Sequence, residues 1–443
     1  MTTRIVWRVN VLPFAGLGLA AGLAAASAGA ETQGAPAVPS RAALYAALGA
    51  ELTPYEVDVA AATLAKGRAV TLPANVQEAA LHPSSRFLYV GWSSSGASYG
   101  EAGGAPSAGP RHGVTAFRID ASGALVPHGA AAPLRARPIH LTTDADGSHL
   151  LVAYNLPSGL TVHRLQPDGA IGSEVEQPSG LDGGIYAHHV RVLPSNRAVV
   201  LVTRGNAPTA AAPEDPGALK VFAYAGGVLA NRASIAPGGG YGFQARHIDF
   251  HPSRPFAYLT LERQNEIAVF GVAGDSLSAA PLVTKTTLAE PGRVRPGQTT
   301  SAIRVHPSGR FVYVGNRASA TTDVQGTRVS AGGENTIAVF AIDQATGEPS
   351  LIQTIDTRGF QPRTVALDAG GRILVVGNQN PLAVRDGGGV RTVPASLSTF
   401  RIGADGRLAF VRTDAVDAEP DAGRLLFWVG MAPLGESELG RAR

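Results

Sequence analysis

Six side chains at recurrent positions could do chemistry on a carbonyl group: His188, Arg204, Arg246, Glu262, Arg317 and Arg363. A histidine or glutamate can take a proton from an attacking water. A guanidinium can grip a carboxylate or phosphate with two parallel hydrogen bonds, or stabilise the oxyanion of a tetrahedral intermediate. Together they suit ester hydrolysis on an anionic substrate. Their spacing is regular. Paired residues of an antiparallel hairpin have a constant sum of sequence numbers, and directly opposed side chains share a face. Arg246 and Glu262 lie eight residues before and after Arg254, at the centre of a polar turn. The same arithmetic pairs His188 with Arg204 about Asn196, Ser301 with Arg317 about Gly309, and Arg363 with Gln379 about Gly371. It also pairs Gln77 with Ser93 about Ser85. Every pair falls at the end of its hairpin away from the turn, so the register gathers these groups at one end of the repeat. Solvation alone also places polar residues at strand ends, and a β-bulge would shift any pair by one residue.

The elements that carry these residues form an internal repeat. One copy reads HPSGRFVYVGNR from His306; others read HPSSRFLYVGW from His82, HPSRPFAYLTLER from His251 and LDAGGRILVVGNQ from Leu367. Weaker copies start at Thr143 and Leu193. Each is a polar turn followed by a β-branched or aromatic run, the signature of a strand, a tight turn and a second strand. A further alternating segment follows each copy, such as IAVFGVAGD or IAVFAID, as in half-buried antiparallel strands. With the early pair LYAALG and LTPYEVD, seven units are present, 50 to 61 residues apart. No stretch keeps helical periodicity. The pattern predicts an all-β fold, a seven-bladed β-propeller of four-stranded antiparallel blades. The first unit lacks a leading strand and LLFWVG is left over at Leu425 to Gly430, so the chain ends should close the ring in one blade. The inserts Ser94–Arg111 and Ala318–Glu334, rich in Gly, Ser and Ala, read as surface loops.

Composition narrows the partners. The chain has 443 residues, 44% hydrophobic and 16% charged, and no cysteine, which excludes disulfides, Cys-ligated metals and thiol nucleophiles. Two of the positive charges behind the net +3, Arg4 and Arg8, precede an apolar run from Val11 to Ala26 and the small-x-small tripeptide Ala28-Gly29-Ala30. That is a secretory signal, predicted to be cleaved near Ala30, leaving residues 31–443 as a single propeller domain, periplasmic or secreted. No later segment is long and apolar enough for a membrane helix. With its leader removed the chain is nearly neutral, and no Lys/Arg block points to nucleic acid.

The repeats resemble the seven-bladed β-propeller lactonase family, which includes bacterial 6-phosphogluconolactonases and a fungal carboxymuconate cyclase. The resemblance runs from about Leu44 to Met431 and is most specific over Gln244–Phe270 and Ile303–Asp343. It implies that His188, Arg246, Glu262 and Arg317 line the active cleft. Gln244-Ala245 stands where the family often has Gly-Pro, and Ala302 where it often has Glu. The expected function is lactonase, hydrolysing the ring ester of a sugar-derived or related acidic lactone. His188 is the expected base or proton shuttle, with Glu262 competing, and Arg246 and Arg317 hold the anion or oxyanion. Arg204, Arg363, His247 and Gln379 are expected to bind substrate. The alternatives are a non-catalytic ligand- or protein-binding propeller and a muconate-type cyclase or isomerase. Export argues against a phosphorylated cytoplasmic metabolite. Neither cofactor nor metal is expected; the expected partner is a small lactone or organic acid, and the protein is expected to be a monomer. His82, His251 and His306, at the repeated turn, are read as structural.

Overall fold

The computed structural model describes residues 40–95, 111–419 and 424–435. The predicted leader and most of the insert Ser94–Arg111 lie outside them. Seven antiparallel sheets built on four strands each succeed one another along the chain. Their first strands are Asn75–Leu81, Pro138–Thr143, Ala187–Val192, Ala245–Phe250, Gln298–Val305 and Phe360–Leu367, and each touches the next. The seventh is Leu426–Leu434. It pairs with Arg41–Leu48 and lies against both Phe360–Leu367 and Asn75–Leu81, so the ring closes through one blade made from both chain ends.

Burial explains the strand chemistry. The second strands of four blades, Phe87–Ser93, His149–Asn155, Ala198–Thr203 and Phe256–Leu261, are buried at every residue, because each is covered on both faces by adjacent blades. They read accordingly as continuous apolar runs, whereas outer strands such as Leu125–Pro133 are largely exposed. Blades are also tied by polar links. The hydroxyls of Tyr45, Tyr89, Tyr258 and Tyr313 each donate to the carbonyl of a turn glycine in the following blade, Gly123, Gly169, Gly347 and Gly406, at 3.0–3.1 Å. Gly406 has φ +80°, and a Cβ there would strike the Phe311 ring, so only glycine fits this turn. The turn histidines act likewise. His82 Nε2 lies 3.0 Å from the carbonyl of Gly147 and His306 Nε2 lies 2.8 Å from that of Gly371, each in the next blade.

The insert Ala318–Glu334 is not a plain loop. It contains a hairpin, Thr321–Val324 with Thr327–Ser330, whose turn residues Gln325 and Gly326 both have positive φ, the geometry of a tight two-residue hairpin. A second hairpin, Leu382–Asp386 with Gly389–Val393, rises from the next blade and joins it through a parallel bridge between Val329 and Ala383. The β-forming Thr and Val residues around Gln-Gly outweigh the Gly-rich surroundings.

Candidate active site

A bulge recurs at the same place in every blade. The register between first and second strands slips where Phe427, Gln77, Ile139, His188 and Arg363 stand as extra residues. In the other two blades the pairs Arg246-His247 and Ser301-Ala302 face single partners. A bulge turns an additional side chain out of the ladder. Phe427, Ile139, His188 and Arg363 accordingly enter the wall of a cavity of about 270 Å³ at one end of the channel, at the small end of ligand pockets.

These bulges correct the pairing expected from sequence. Glu262 donates its backbone N–H to the carbonyl of Gln244, not Arg246; Arg204 donates to Tyr186, not His188. Arg317 pairs with Thr299 rather than Ser301, and Ser93 with Asn75 rather than Gln77. Gln379 falls across from Gln361, between the pairs Phe360–Asn380 and Pro362–Asn378, rather than from Arg363. Two effects add: the turn centre lies half a residue earlier than the repeat suggested, and the bulge then adds its own slip. The neighbourhood of Arg246 and Glu262 survives, because long side chains span the difference.

Glu262 is the hub. Its Oε2 accepts from Arg204 Nη1 at 2.9 Å, its Oε1 accepts from Arg317 Nη2 at 2.5 Å, and Arg246 Nε lies 3.2 Å from Oε1. Burial would raise this carboxyl, but Arg317, Arg246 and Arg204 together hold it far below the usual carboxylate range. Arg317 is further fixed by Nε donating to Thr299 Oγ1 at 3.1 Å. Arg204 lies 4.3 Å above the ring of Tyr186, a residue held at φ +56°. His188 is buried yet lines the cavity, with its Nδ1 unpartnered among the described residues. Burial, reinforced by Arg246, pushes its imidazole well below the ordinary range, while Glu262 acts the other way.

Arg363 and Gln379 also line the cavity. Arg246 and His247 do not. Arg246 is 1% exposed beneath the Glu262 carboxylate, and its Nη1 donates to His247 Nδ1 at 2.9 Å, which leaves His247 behind the site rather than in its wall. Sequence reasoning missed Arg137, Tyr186 and Phe427. Arg363 rests 4.0 Å over the Phe427 ring and Arg137 lies 5.9 Å from it, with Arg137 Nε donating to Gln77 Oε1 at 2.7 Å. Carrying one bulge position through all seven repeats, the closing strand included, would have found Phe427. Three guanidiniums, Arg204, Arg246 and Arg317, stand against one carboxylate, and Arg137 and Arg363 add two more to the cavity wall, an arrangement that attracts an anion. Among the described residues no three His, Asp or Glu are arranged to hold a metal ion.

Known proteins share this architecture. The chain is 29% identical over 256 residues to the 6-phosphogluconolactonase of Pectobacterium carotovorum, covering 58% of this chain and 68% of that protein. It is 26% identical over 318 residues to that of Cronobacter sakazakii, covering 72% and 81%. The structure of the periplasmic gluconolactonase of Pseudomonas aeruginosa superposes with a TM-score of 0.62 at 21% identity, covering 88% of this chain and all of that one. The family model described as lactonase, seven-bladed β-propeller, matches residues 43–385, and the chain belongs to that family.

Proposed function

We propose that this protein is an exported lactonase that hydrolyses the ring ester of a sugar-derived or related acidic lactone, with His188 as the base. The observation that carries this reading is the division of labour between two groups. Glu262 is saturated by three guanidiniums that hold its proton affinity far below neutral pH, whereas His188 is neutral and lines the cavity. In the proposed reaction His188 takes a proton from water as its oxygen attacks the ring carbonyl. The oxyanion forms against Arg317 or Arg363, and the proton returns to the departing ring oxygen. Arg246 holds Glu262, and Glu262 holds Arg204 and Arg317, so the donors are oriented before substrate arrives. The relatives named for phosphogluconolactone and gluconolactone hydrolysis support the reaction class.

A screen of aldonolactones and acidic lactones with the purified chain tests it. His188→Ala is expected to lower kcat by about 10²-fold to 10⁴-fold, the usual worth of a general base. Because the His188 proton affinity is depressed, the base form persists below the pH at which a free imidazole charges. The acid limb of kcat/KM should therefore lie below pH ~6.5. Full turnover in His188→Ala would rule it out as base, and ligand binding without turnover in the unaltered protein would favour the non-catalytic reading.

Export rests on the leader pattern, and the periplasmic neighbour is consistent with it. N-terminal sequencing of material recovered outside the cytoplasm should begin near Glu31; a chain beginning at Met1 would count against cleavage.

A further inference from the structure

Behind the proposed active site the channel is filled by imidazoles. The His247 ring centre lies 5.2 Å from that of His188 and 4.7 Å from that of His189, and His189 lies 3.8 Å from His140. Beyond this plug, where the first strands run into their turns, lies a second cavity of about 380 Å³. Its charged and imidazole groups are Glu78, His140, His189, Arg191, Arg304 and Asp368, none of which lines the first cavity.

Arg304 is the notable member. Its Nη1 donates to the carbonyl of Ile303 at 2.9 Å, and no other hydrogen bond from its guanidinium is found among the described residues. The nearby carboxylate of Asp249 is already committed, at 3.0 Å to Arg191 and accepting the N–H of Val305 at 2.9 Å. Glu78 accepts the N–H of Ala79 at 3.3 Å and a hydrogen bond from the Trp428 side chain. His189 is 2% exposed and its Nδ1 has no partner. Arg304 and Glu78 are both partly open to this cavity, and the guanidinium has donors left over after its one internal hydrogen bond. The guanidinium fork matches a carboxylate, while a carboxyl matches hydroxyl groups.

We propose that this far end of the channel is a second ligand site, for a small hydroxylated organic acid whose carboxylate is held by Arg304 and whose hydroxyls meet Glu78. The site is separate from the lactonase reading and does not rest on it. Its affinity should depend on pH through Glu78. Burial pushes that carboxyl up to about 7, against the pull of Arg304 and Arg363 and the hydrogen bonds from Ala79 and Trp428. Burial holds His140 and His189 well below the ordinary imidazole range, so both stay neutral. The charged groups facing Glu78 and its cavity are Arg304, Arg363 from the first cavity, Arg191, which is paired to Asp249, and Asp368, which accepts the backbone N–H groups of Arg372 and Ile373. Below pH ~7 a neutral Glu78 leaves the Arg304 charge to the ligand; above it an ionised Glu78 competes for Arg304 and repels the anion.

The test is calorimetric titration of the full mature chain with sodium gluconate. Two binding events are expected, one lost in Arg363→Met and the other weakened about tenfold or more in Arg304→Met. The far event should weaken several-fold between pH 6 and pH 8 in the unaltered protein and stay level in Glu78→Gln. Whether one event or two are seen, the proposal is overturned if none of them weakens in Arg304→Met. If Arg304→Met does not fold, Glu78→Gln decides alone, since the same pH dependence with and without the ionisable group is incompatible with the site.

Discussion

Replacing Glu262 with glutamine is expected to lower the free energy of unfolding by about 3–5 kcal/mol and to abolish activity, the range seen when one partner of a buried ion pair is removed. The carboxylate, itself 4% exposed, offsets Arg246 at 1% exposure, and the Arg317 and Arg204 guanidiniums bond to it as well. Glutamine keeps the shape but not the charge. Arg246 and Arg317 would then repel each other with nothing between them. Arg204→Ala removes one spoke instead of the hub; its side chain is 25% exposed, so its ion pair is partly screened and a loss of ~1 kcal/mol is expected. The effect of Glu262→Gln has a direction in pH. Arginine neighbours hold the folded-state proton affinity of Glu262 far below its unfolded value of ~4.3. Its stabilisation is therefore complete above pH ~4.3 and is lost as pH falls toward the folded value, so the variant and the unaltered chain should converge in strong acid. Urea titrations at pH 7 and pH 3 measure this. Equal midpoints at pH 7 would mean that the three guanidiniums do not depend on the carboxylate. A large stability loss with activity retained would make Glu262 a purely structural hub.

The sequence carried the repeat because strand chemistry is local. A polar turn and a β-branched run identify a hairpin wherever they occur, and seven of them in series leave few ways to bury their faces. Closure was equally legible, since a lone apolar strand at Leu426–Leu434 needs an edge to pair with. The convergence of His188, Arg204, Glu262, Arg317 and Arg363 followed from their shared position in the repeat. The bulge did not. It inserts one residue without a characteristic residue type: Phe427, Gln77, Ile139, His188 and Arg363 occupy it with nothing in common but their place. For the same reason Arg137 and Phe427 stayed hidden, one just before a weak copy of the repeat and the other in a strand read only as a closing element. His247 is expected to bind substrate, but it stands in the bulge beside Arg246 and its ring packs against His188 and His189 behind the site. The second cavity depends on which first-strand residues meet across the channel, a long-range relation that no single repeat contains.

Deleting residues from Leu425 onward is expected to prevent stable folding altogether. The lost strand buries Leu426, Trp428, Val429, Ala432 and Leu434, besides Phe427. At about 1.5–3 kcal/mol for a fully buried large apolar side chain, their loss is on the order of 10 kcal/mol, comparable with the whole stability of a typical domain. The damage also spreads. Arg41–Leu48 would present an unpaired edge, and Phe360–Leu367 and Asn75–Leu81 would face an open gap instead of a neighbour. Arg363 would lose the aromatic face it rests on, so the site would fail even in a chain that stayed compact. Calorimetry of the truncated chain should show no cooperative transition near that of the full one; a transition at the same temperature would show that the ring does not depend on this strand. A permuted chain separates loss of the strand from loss of the natural termini. Arg41 pairs with Leu434, so a short linker can join the ends, with new termini cut in an exposed hairpin turn such as Gly387-Gly388. That chain keeps every blade complete. It should melt cooperatively and retain its arginine-lined cavity, because closure needs the strand in place and not the order in which it is made.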